Sequence, residues 1–180
     1  MAFNTHLMIK AAGDDAPILF GEDTTQNNQG ETDVSAWLEC SEFEVALETG
    51  QQGTHGSSQQ GTHGSSQSTG HRVWKPARFV LRLGKSTPWL FDAGRTNKNI
   101  DLTLHFFHRH HETGVIEQNF QYRIGQGRIV SIRIVQPNVL HAETASLHDY
   151  VELKVVPNVS ETESVTGGTM MVDDWANYGA

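Results

Sequence analysis

The sequence has few cysteines and few positive charges, and each shortage argues against a class of protein. Cys40 is the only cysteine among 180 residues, so the chain cannot form an internal disulfide and does not fit the small disulfide-linked secreted domains. Lys and Arg number 13 against 21 Asp and Glu, which gives a net charge of −8 at pH 7. Because binding to a phosphate backbone depends on clustered Lys and Arg, this balance argues against a nucleic-acid partner.

Long apolar runs are also missing. No segment approaches the roughly 20 apolar residues that a helix needs to span a bilayer. The first residues, MAFNTHLMIKAAGDD, lack the charged region and long apolar core of a signal peptide. We therefore expect no membrane insertion, synthesis in a cytoplasm, and any export by a route that reads no cleaved signal. With 37% hydrophobic residues the chain can bury one sizeable core, so we expect a single domain over residues 1–180.

The sequence does contain a regular pattern from residue 86 to 136. Thr87, followed by a proline, predicts a helix start with the threonine side chain as cap, and Gly94 predicts the helix end about two turns later. From Ile100 onward apolar residues alternate with polar ones, as in a half-buried strand. The Gly-Gln-Gly sequence at 125–127 is interpreted as a hairpin turn between two further strands. This stretch predicts a short helix followed by a three-stranded meander.

Further strands are predicted on both sides of this stretch. They are 3–10, with Leu7 and Ile9 inward; 33–47, with a bulge or change of face near Glu39 to Glu42; 72–83, interrupted at Lys75-Pro76; and 148–156, with Val151, Leu153 and Val155 inward. The pattern predicts a mainly β fold: a small antiparallel β-barrel, or a tight sandwich, with one short α-helix and long loops.

Two segments fall outside this pattern. Residues 50–70 consist largely of Gly, Ser, Thr, Gln and His, and GTHGSSQQ at 53–60 is nearly repeated at 61–68. This composition cannot offset the entropy of ordering it, and long loops inside a domain are usually functional or ordered by a partner. We expect a neighbouring subunit to order the loop. Residues 164–180 predict an extended C-terminal tail.

The segment His105–His111 holds four of the ten histidines, and imidazole is the commonest transition-metal ligand. On a strand, however, His108 and His110 would face one way while His105 and His111 would face the other. No Cys or carboxylate set completes a four-ligand shell. We expect no bound metal and no cofactor, and a metal-binding module that uses His105–His111 stays open as the alternative.

No catalytic constellation emerges from the sequence. The pattern G-x-S-x-G does not occur with a strand before it and a helix after it. The Cys40 thiol lies beside Glu39 and Glu42, whose charges would raise its pKa, so Cys40 is interpreted as a packing residue. Glu39, Glu42 and Glu44 are interpreted as a solvated strand face. We therefore expect a protein that is not an enzyme.

Four stretches follow one another in an order typical of a known family. They are STPWLFDAG at 86–94, KNIDLTLHFF at 98–107, QYRI at 121–124 and RIVSIRI at 128–134, with residues 33–43 in the place of a second strand. In this order and spacing the chain resembles the haemolysin-coregulated protein (Hcp) family, the tube subunit of type VI secretion. The likeness extends from Phe3 to about Val156.

The resemblance implies a β-barrel protomer that assembles into homo-hexameric rings with a wide channel. Rings stack into a tube that a contractile sheath propels outward. It also implies a VgrG-like spike and secreted effectors as partners. The protein would be cytoplasmic before firing and then secreted without a cleaved signal peptide. A soluble β-barrel binding module is the alternative function.

Assembly would depend on two sets of residues. Edge strands of a small barrel expose unpaired backbone groups, so we expect ring contacts on the strand faces beside the helix. The expected ring-interface residues are Arg72, Val73, Arg82, Asp101, Thr103 and Arg109, and the expected stacking residues in the repeat are Gly53, His55, Gly61 and His63.

Overall fold

The computed structural model describes residues 5–18, 28–49, 72–138, 140 and 148–174. Within these ranges the chain forms twelve strands and one helix. The strands are β1 Thr5–Ala11, β2 Asn28–Gln29, β3 Thr32–Asp33, β4 Leu38–Glu44, β5 Leu47–Thr49, β6 Arg72–Trp74, β7 Ala77–Arg82, β8 Asn99–Arg109, β9 Ile116–Val135, β10 Tyr150–Val156, β11 Val159–Ser164 and β12 Thr169–Asp174. The helix, α1, spans Ser86–Arg95.

Six strands close into an antiparallel barrel. Their order is β10-β7-β4-β1-β8-β9, and pairing of β9 with β10 completes the closure. The 20 residues of β9 make this possible, because its first half pairs with β8 and β11 and its second half pairs with β10. β11 and β12 extend the sheet beyond the barrel. The predicted mainly β fold, with an antiparallel barrel and a short helix, is confirmed.

The hairpin turn predicted at 125–127 is wrong, because β9 runs through these residues. Gln126 has a φ of 51°, in the left-handed region, and the pairing of β9 with β8 shifts register nearby. This is a β-bulge, which bends a strand without ending it. A Cβ on Gly127 would lie 2.6 Å from Ile124 and 2.7 Å from Val155, so glycine is needed where the strand bends. The predicted meander is therefore two strands, β8 and a long bent β9.

The barrel interior is filled by residues that alternate inward along each strand. The inward faces predicted for β1 and β10 are confirmed, since their apolar residues are at most 1% exposed. The hydroxyl of Tyr122 accepts a hydrogen bond from Ser160 at 2.9 Å, which satisfies a polar group inside the apolar cluster. The cluster comprises Leu7, Ile9, Leu38, Cys40, Ala77, Phe79, Leu81, Leu90, Ala93, Ile100, Leu102, Leu104, Tyr122, Ile124, Leu153 and Val155.

The helix is placed as predicted, but both of its predicted boundaries are wrong. It begins at Ser86, and the Thr87 hydroxyl accepts a hydrogen bond from the Gly84 N–H at 3.3 Å instead of capping a helical N–H. The helix continues through Gly94 to Arg95, and the chain then turns at Asn97, whose φ is 52°. Asparagine tolerates the left-handed conformation that ends many helices, so it replaces the expected glycine.

Two predicted irregularities are confirmed. Lys75 and Pro76 separate β6 from β7, and the pairing of β4 with β7 shifts register between Cys40 and Glu42. The bulge lets Cys40 point into the core, where burial raises the pKa of its thiol to about 12. Cys40 is a packing residue, as the sequence predicts.

The C-terminal part of the chain contains a further strand. Residues 169–174, within the segment predicted as an extended tail, form strand β12. The repeat at 50–70 and the last residues, 175–180, lie outside the described ranges. In the described part of the chain, no helix is long and apolar enough to cross a membrane.

Candidate assembly surface

The edge of the sheet is formed by β12. Its only strand partner among the described residues is β11, so one side of its backbone has no strand beside it. Three consecutive side chains on β12 are exposed: Met170 by 62%, Met171 by 46% and Val172 by 52%. Exposed apolar edge strands pair readily with another chain, and folded proteins usually cover or charge them. This strand is therefore the best candidate for contact with another subunit.

A hydrogen bond fixes β12 to a small neighbouring sheet. The indole nitrogen of Trp74, on β6, donates to Oδ2 of Asp173 at 2.8 Å, and Asp173 is buried. β6 pairs with β5, and this pairing joins Thr49 to Arg72, the residues on either side of the low-complexity segment. The described residues on either side of this segment therefore belong to a hairpin that is tied to the sheet edge.

A ladder of ion pairs crosses the outer wall of the barrel. Glu152, on β10, is only 7% exposed and pairs with Arg133 on β9 and Arg78 on β7. Arg78 also pairs with Glu42 on β4. Hydrogen bonds from Arg133 and then Arg78 lower the pKa of Glu152 below its ordinary value. Four adjacent strands are thus joined by alternating charges. These charged side chains on the barrel wall are therefore paired with one another within the subunit.

The six predicted interface residues lie in different parts of the fold. Arg72 and Val73 are on β6, and Arg82 is exposed at the end of β7. Asp101, Thr103 and Arg109 are on β8, which β4 and β1 separate from β7. Asp101 already accepts a hydrogen bond from the Gln126 backbone N–H at 2.7 Å. The structure places the six residues on three strands, β6, β7 and β8.

The histidine segment is split between two environments. His105 is 9% exposed, and its ring stacks on Trp37 with centroids 4.3 Å apart. Nε2 of His108 lies 3.3 Å from Oε1 of Glu117. The ring of His110 stacks on the ring of His111. Among the described residues, no group of three or more His, Cys, Asp or Glu side chains could hold a metal ion.

Sequence reasoning placed His105 on a polar strand face and missed its burial. Trp37 covers the ring from a segment about seventy positions earlier in the chain. Local alternation carries no information on such a contact. It likewise gave only a weak signal for β12, the strand that forms the exposed edge.

Comparison with known proteins reveals a likeness in structure. No known family profile matches the sequence, and no curated protein matches it. A crystal structure of an Hcp protein has a TM-score of 0.77 and 20% identity, covering 97% of this chain and 98% of that one. This chain has the Hcp fold. The secreted protein Hcp3 from Pseudomonas aeruginosa gives a TM-score of 0.67 at 15% identity over 95% of this chain and 99% of that one.

The Hcp fold also occurs in a protein described as a type VI secretion system effector, from Yersinia pestis. It gives a TM-score of 0.57 at 11% identity, covering 93% of this chain and 98% of that one. Because these matches span nearly the whole of each chain, the Hcp fold describes the complete arrangement of strands and not just a local motif.

Proposed function

We propose that this chain is the tube subunit of a type VI secretion system. The observation that carries the proposal is the full-length likeness to Hcp structures, together with an exposed apolar edge strand, β12, that a second subunit would cover. The order of the sequence stretches between 86 and 134 independently resembles the Hcp family. The proposal includes no enzymatic activity, since the buried, high-pKa thiol of Cys40 is a poor nucleophile.

The proposed assembly is a closed homo-hexameric ring. When one surface contacts a different surface on the next copy, a rotation that closes leaves no free edge. The exposed backbone of β12 fits this kind of contact, because a closed ring covers every copy of it. The copy number of six follows from the resemblance to Hcp. A stable interface of this kind should bury more than about 1,000 Å².

Rings would stack into a tube. We propose that the low-complexity segment mediates stacking through Gly53, His55, Gly61 and His63. Ring contacts would use Arg72, Val73, Arg82, Asp101, Thr103 and Arg109 in addition to β12. These surfaces come from different strands, as expected when the two sides of a ring contact differ.

The partners of the assembled tube would be a VgrG-like spike, a contractile sheath and effectors carried in the channel. The protein would be made in the cytoplasm and leave the cell when the sheath contracts, without cleavage of a signal peptide. No nucleic acid or membrane insertion is part of this function, in keeping with the net charge of −8.

Size-exclusion chromatography with light scattering, combined with native mass spectrometry and negative-stain images, tests the proposal. We expect six copies per particle and ring-shaped images at tens of micromolar protein. Charge reversal by Arg82→Glu or Arg109→Glu should weaken assembly more than folding. A monomer under these conditions, with no rings on the grid, would remove the tube proposal and leave the soluble binding module as the better function.

A further inference from the structure

Two buried histidines face the same side of neighbouring strands. His6 on β1 pairs in register with His105 on β8, and both point away from the barrel core. His6 is 0% exposed and His105 is 9% exposed. Outward positions on a barrel wall normally meet water, so something else covers this pair.

The segment 28–37, which contains the β2–β3 hairpin, covers His105. Trp37 stacks on His105 with an interplanar angle of 20°. Gly30 fits so closely against β9 that a Cβ there would lie 2.2 Å from the carbonyl oxygen of Ile116. Val34 is fully buried although it is not part of the barrel cluster. The segment therefore forms a second, small packed layer outside the barrel.

Among the described residues, no carboxylate is hydrogen-bonded to either ring nitrogen of His105. Phe107, next along the outward face of β8, packs edge-on against His6. Gln121 on β9 is opposite His105 and donates a hydrogen bond to the Glu163 carboxylate on β11. Glu39 on β4 is opposite His6. Two ion pairs lie on the neighbouring strands: His108 on β8 with Glu117 on β9, and Arg123 on β9 with Glu161 on β11. The cover itself carries the exposed Glu31 and Asp33.

We propose that the segment 28–37 is an acid-sensitive cover, which lifts from the barrel when the buried imidazole of His105 takes up a proton. An imidazolium at His105 would be a charge in a poorly solvated site beside the buried ring of His6, which is unfavourable. Lifting the cover lets water reach the His105 ring while the inward-facing core remains intact.

The direction of the His105 pKa agrees with this geometry. Burial lowers the pKa of His105 below its ordinary value of 6.5; hydrogen bonding with Gln118 opposes the change, and the charge of His6 adds to it. Because the covered form has the lower pKa, the covered form is favoured above about pH 6.5 and loses stability as the pH falls through the lowered pKa.

Hydrogen exchange of the full chain at pH 7.5 and pH 5.0 tests the proposal, with rates corrected for the intrinsic effect of pH. We expect protection in residues 28–37 to be lower at pH 5.0 than at pH 7.5, while β1 and β8 keep their protection. His105→Gln cannot take up a proton and should abolish the fall. The matched control His111→Gln changes a histidine whose side chain is 84% exposed, and it should leave the fall unchanged.

A second measurement keeps the test decisive if His105→Gln itself loosens the cover. The difference in fluorescence between the natural chain and Trp37→Phe isolates the indole of Trp37 from the three other tryptophans. We expect its emission to shift towards that of exposed tryptophan with a midpoint below pH 6.5, while far-ultraviolet circular dichroism stays constant. A constant signal from pH 7.5 to 4.5, or a change that coincides with loss of the strand signal, would overturn the proposal.

Discussion

The indole nitrogen of Trp74 lies 2.8 Å from the carboxylate of Asp173, joining two residues 99 positions apart in the chain. The bond holds the edge strand β12 against the β5–β6 hairpin. Asp173 is buried, so losing its donor would leave a poorly solvated carboxylate. The relationship therefore links the hairpin whose strands flank the low-complexity segment in sequence to the proposed assembly edge.

Trp74→Phe should lower the free energy of unfolding by about 1–3 kcal/mol, the usual cost of a buried polar group that loses its partner. Hydrogen exchange should increase more in β12 than in the barrel. Asp173→Asn is the control, because an amide oxygen can still accept from the indole, and it should cost less. Chemical denaturation measures both; equal costs for the two variants would mean that the hydrogen bond does not hold the strand.

Met170→Lys should disrupt assembly without unfolding the subunit. The side chain is 62% exposed, so a lysine is easily solvated in the free subunit, but it would place a charge where an edge strand meets another chain. Val130→Lys is a matched control on β9, since Val130 is 55% exposed and lies away from β12. Light scattering should show smaller particles for Met170→Lys alone. Equal loss of assembly in both variants would argue against β12 as the contact.

Sequence periodicity predicts the strands well where one face is buried and the other solvated. Leu7 and Ile9, two positions apart and both apolar, locate β1 correctly. The interruption at Lys75 and Pro76 correctly separates β6 from β7. Period-two patterns work here because a barrel wall has one apolar interior. The mainly β barrel could therefore be predicted from the alternation of residue types.

Other features depend on contacts that the local sequence does not encode. A Gly-Gln-Gly sequence suits a turn and a bulge equally, and the choice at 125–127 depends on how β9 passes from β8 to β10. The burial of His105 depends on Trp37, which reaches it from a distant segment. The edge position of β12 depends on which strands pair, so exposed Met170 could not be recognised as a candidate contact from periodicity.

Glu152→Gln should reduce stability by about 1–3 kcal/mol at pH 7, because it removes the charge that Arg133 and Arg78 share. Hydrogen bonds from these arginines lower the pKa of Glu152 from its ordinary 4.5. The carboxylate therefore stabilises the fold above about pH 4.5, and this contribution is lost as the pH falls through the lowered pKa.

Denaturation curves between pH 3 and pH 7 check the pH dependence. The natural chain should lose the Glu152 contribution on acidification, whereas Glu152→Gln should lack that part of the slope. Glu161→Gln is the control, since the Arg123 side chain that pairs with it is 52% exposed, and surface pairs contribute only about 0–1 kcal/mol. An unchanged pH slope in Glu152→Gln would contradict the role assigned to the ladder.

Alanine substitutions at two glycines should have opposite effects on stability. Gly94 lies inside α1, and a Cβ there would be 3.5 Å from Ile129, an ordinary contact, so Gly94→Ala should stabilise the protein by about 0.5–1 kcal/mol. Gly127→Ala would force a Cβ to within 2.7 Å of two core side chains and should destabilise by about 1–3 kcal/mol. Thermal unfolding measures both, and a destabilising Gly94→Ala would mean that Gly94 does end the helix.

Deleting residues 53–67 should leave the barrel folded and weaken ring stacking. The deletion lets residues 50–52 and 68–71 join β5 to β6, whose pairing brings Thr49 and Arg72 together. Shortening the connection roughly threefold changes the loop-closure entropy by only about 1 kcal/mol, in the stabilising direction. Native mass spectrometry should therefore still detect rings, while negative-stain images should contain fewer stacked particles.

A variant with 53–67 replaced by an equal length of Gly and Ser separates the two possible roles of this segment. If stacking depends on the histidine-containing repeat, this variant should stack as poorly as the deletion. If the segment acts only as a spacer, stacking should return to the natural level. Unfolding of the deletion variant would instead make the segment part of the fold, and unchanged stacking in both variants would remove His55 and His63 from the proposed contact, because neither variant retains them.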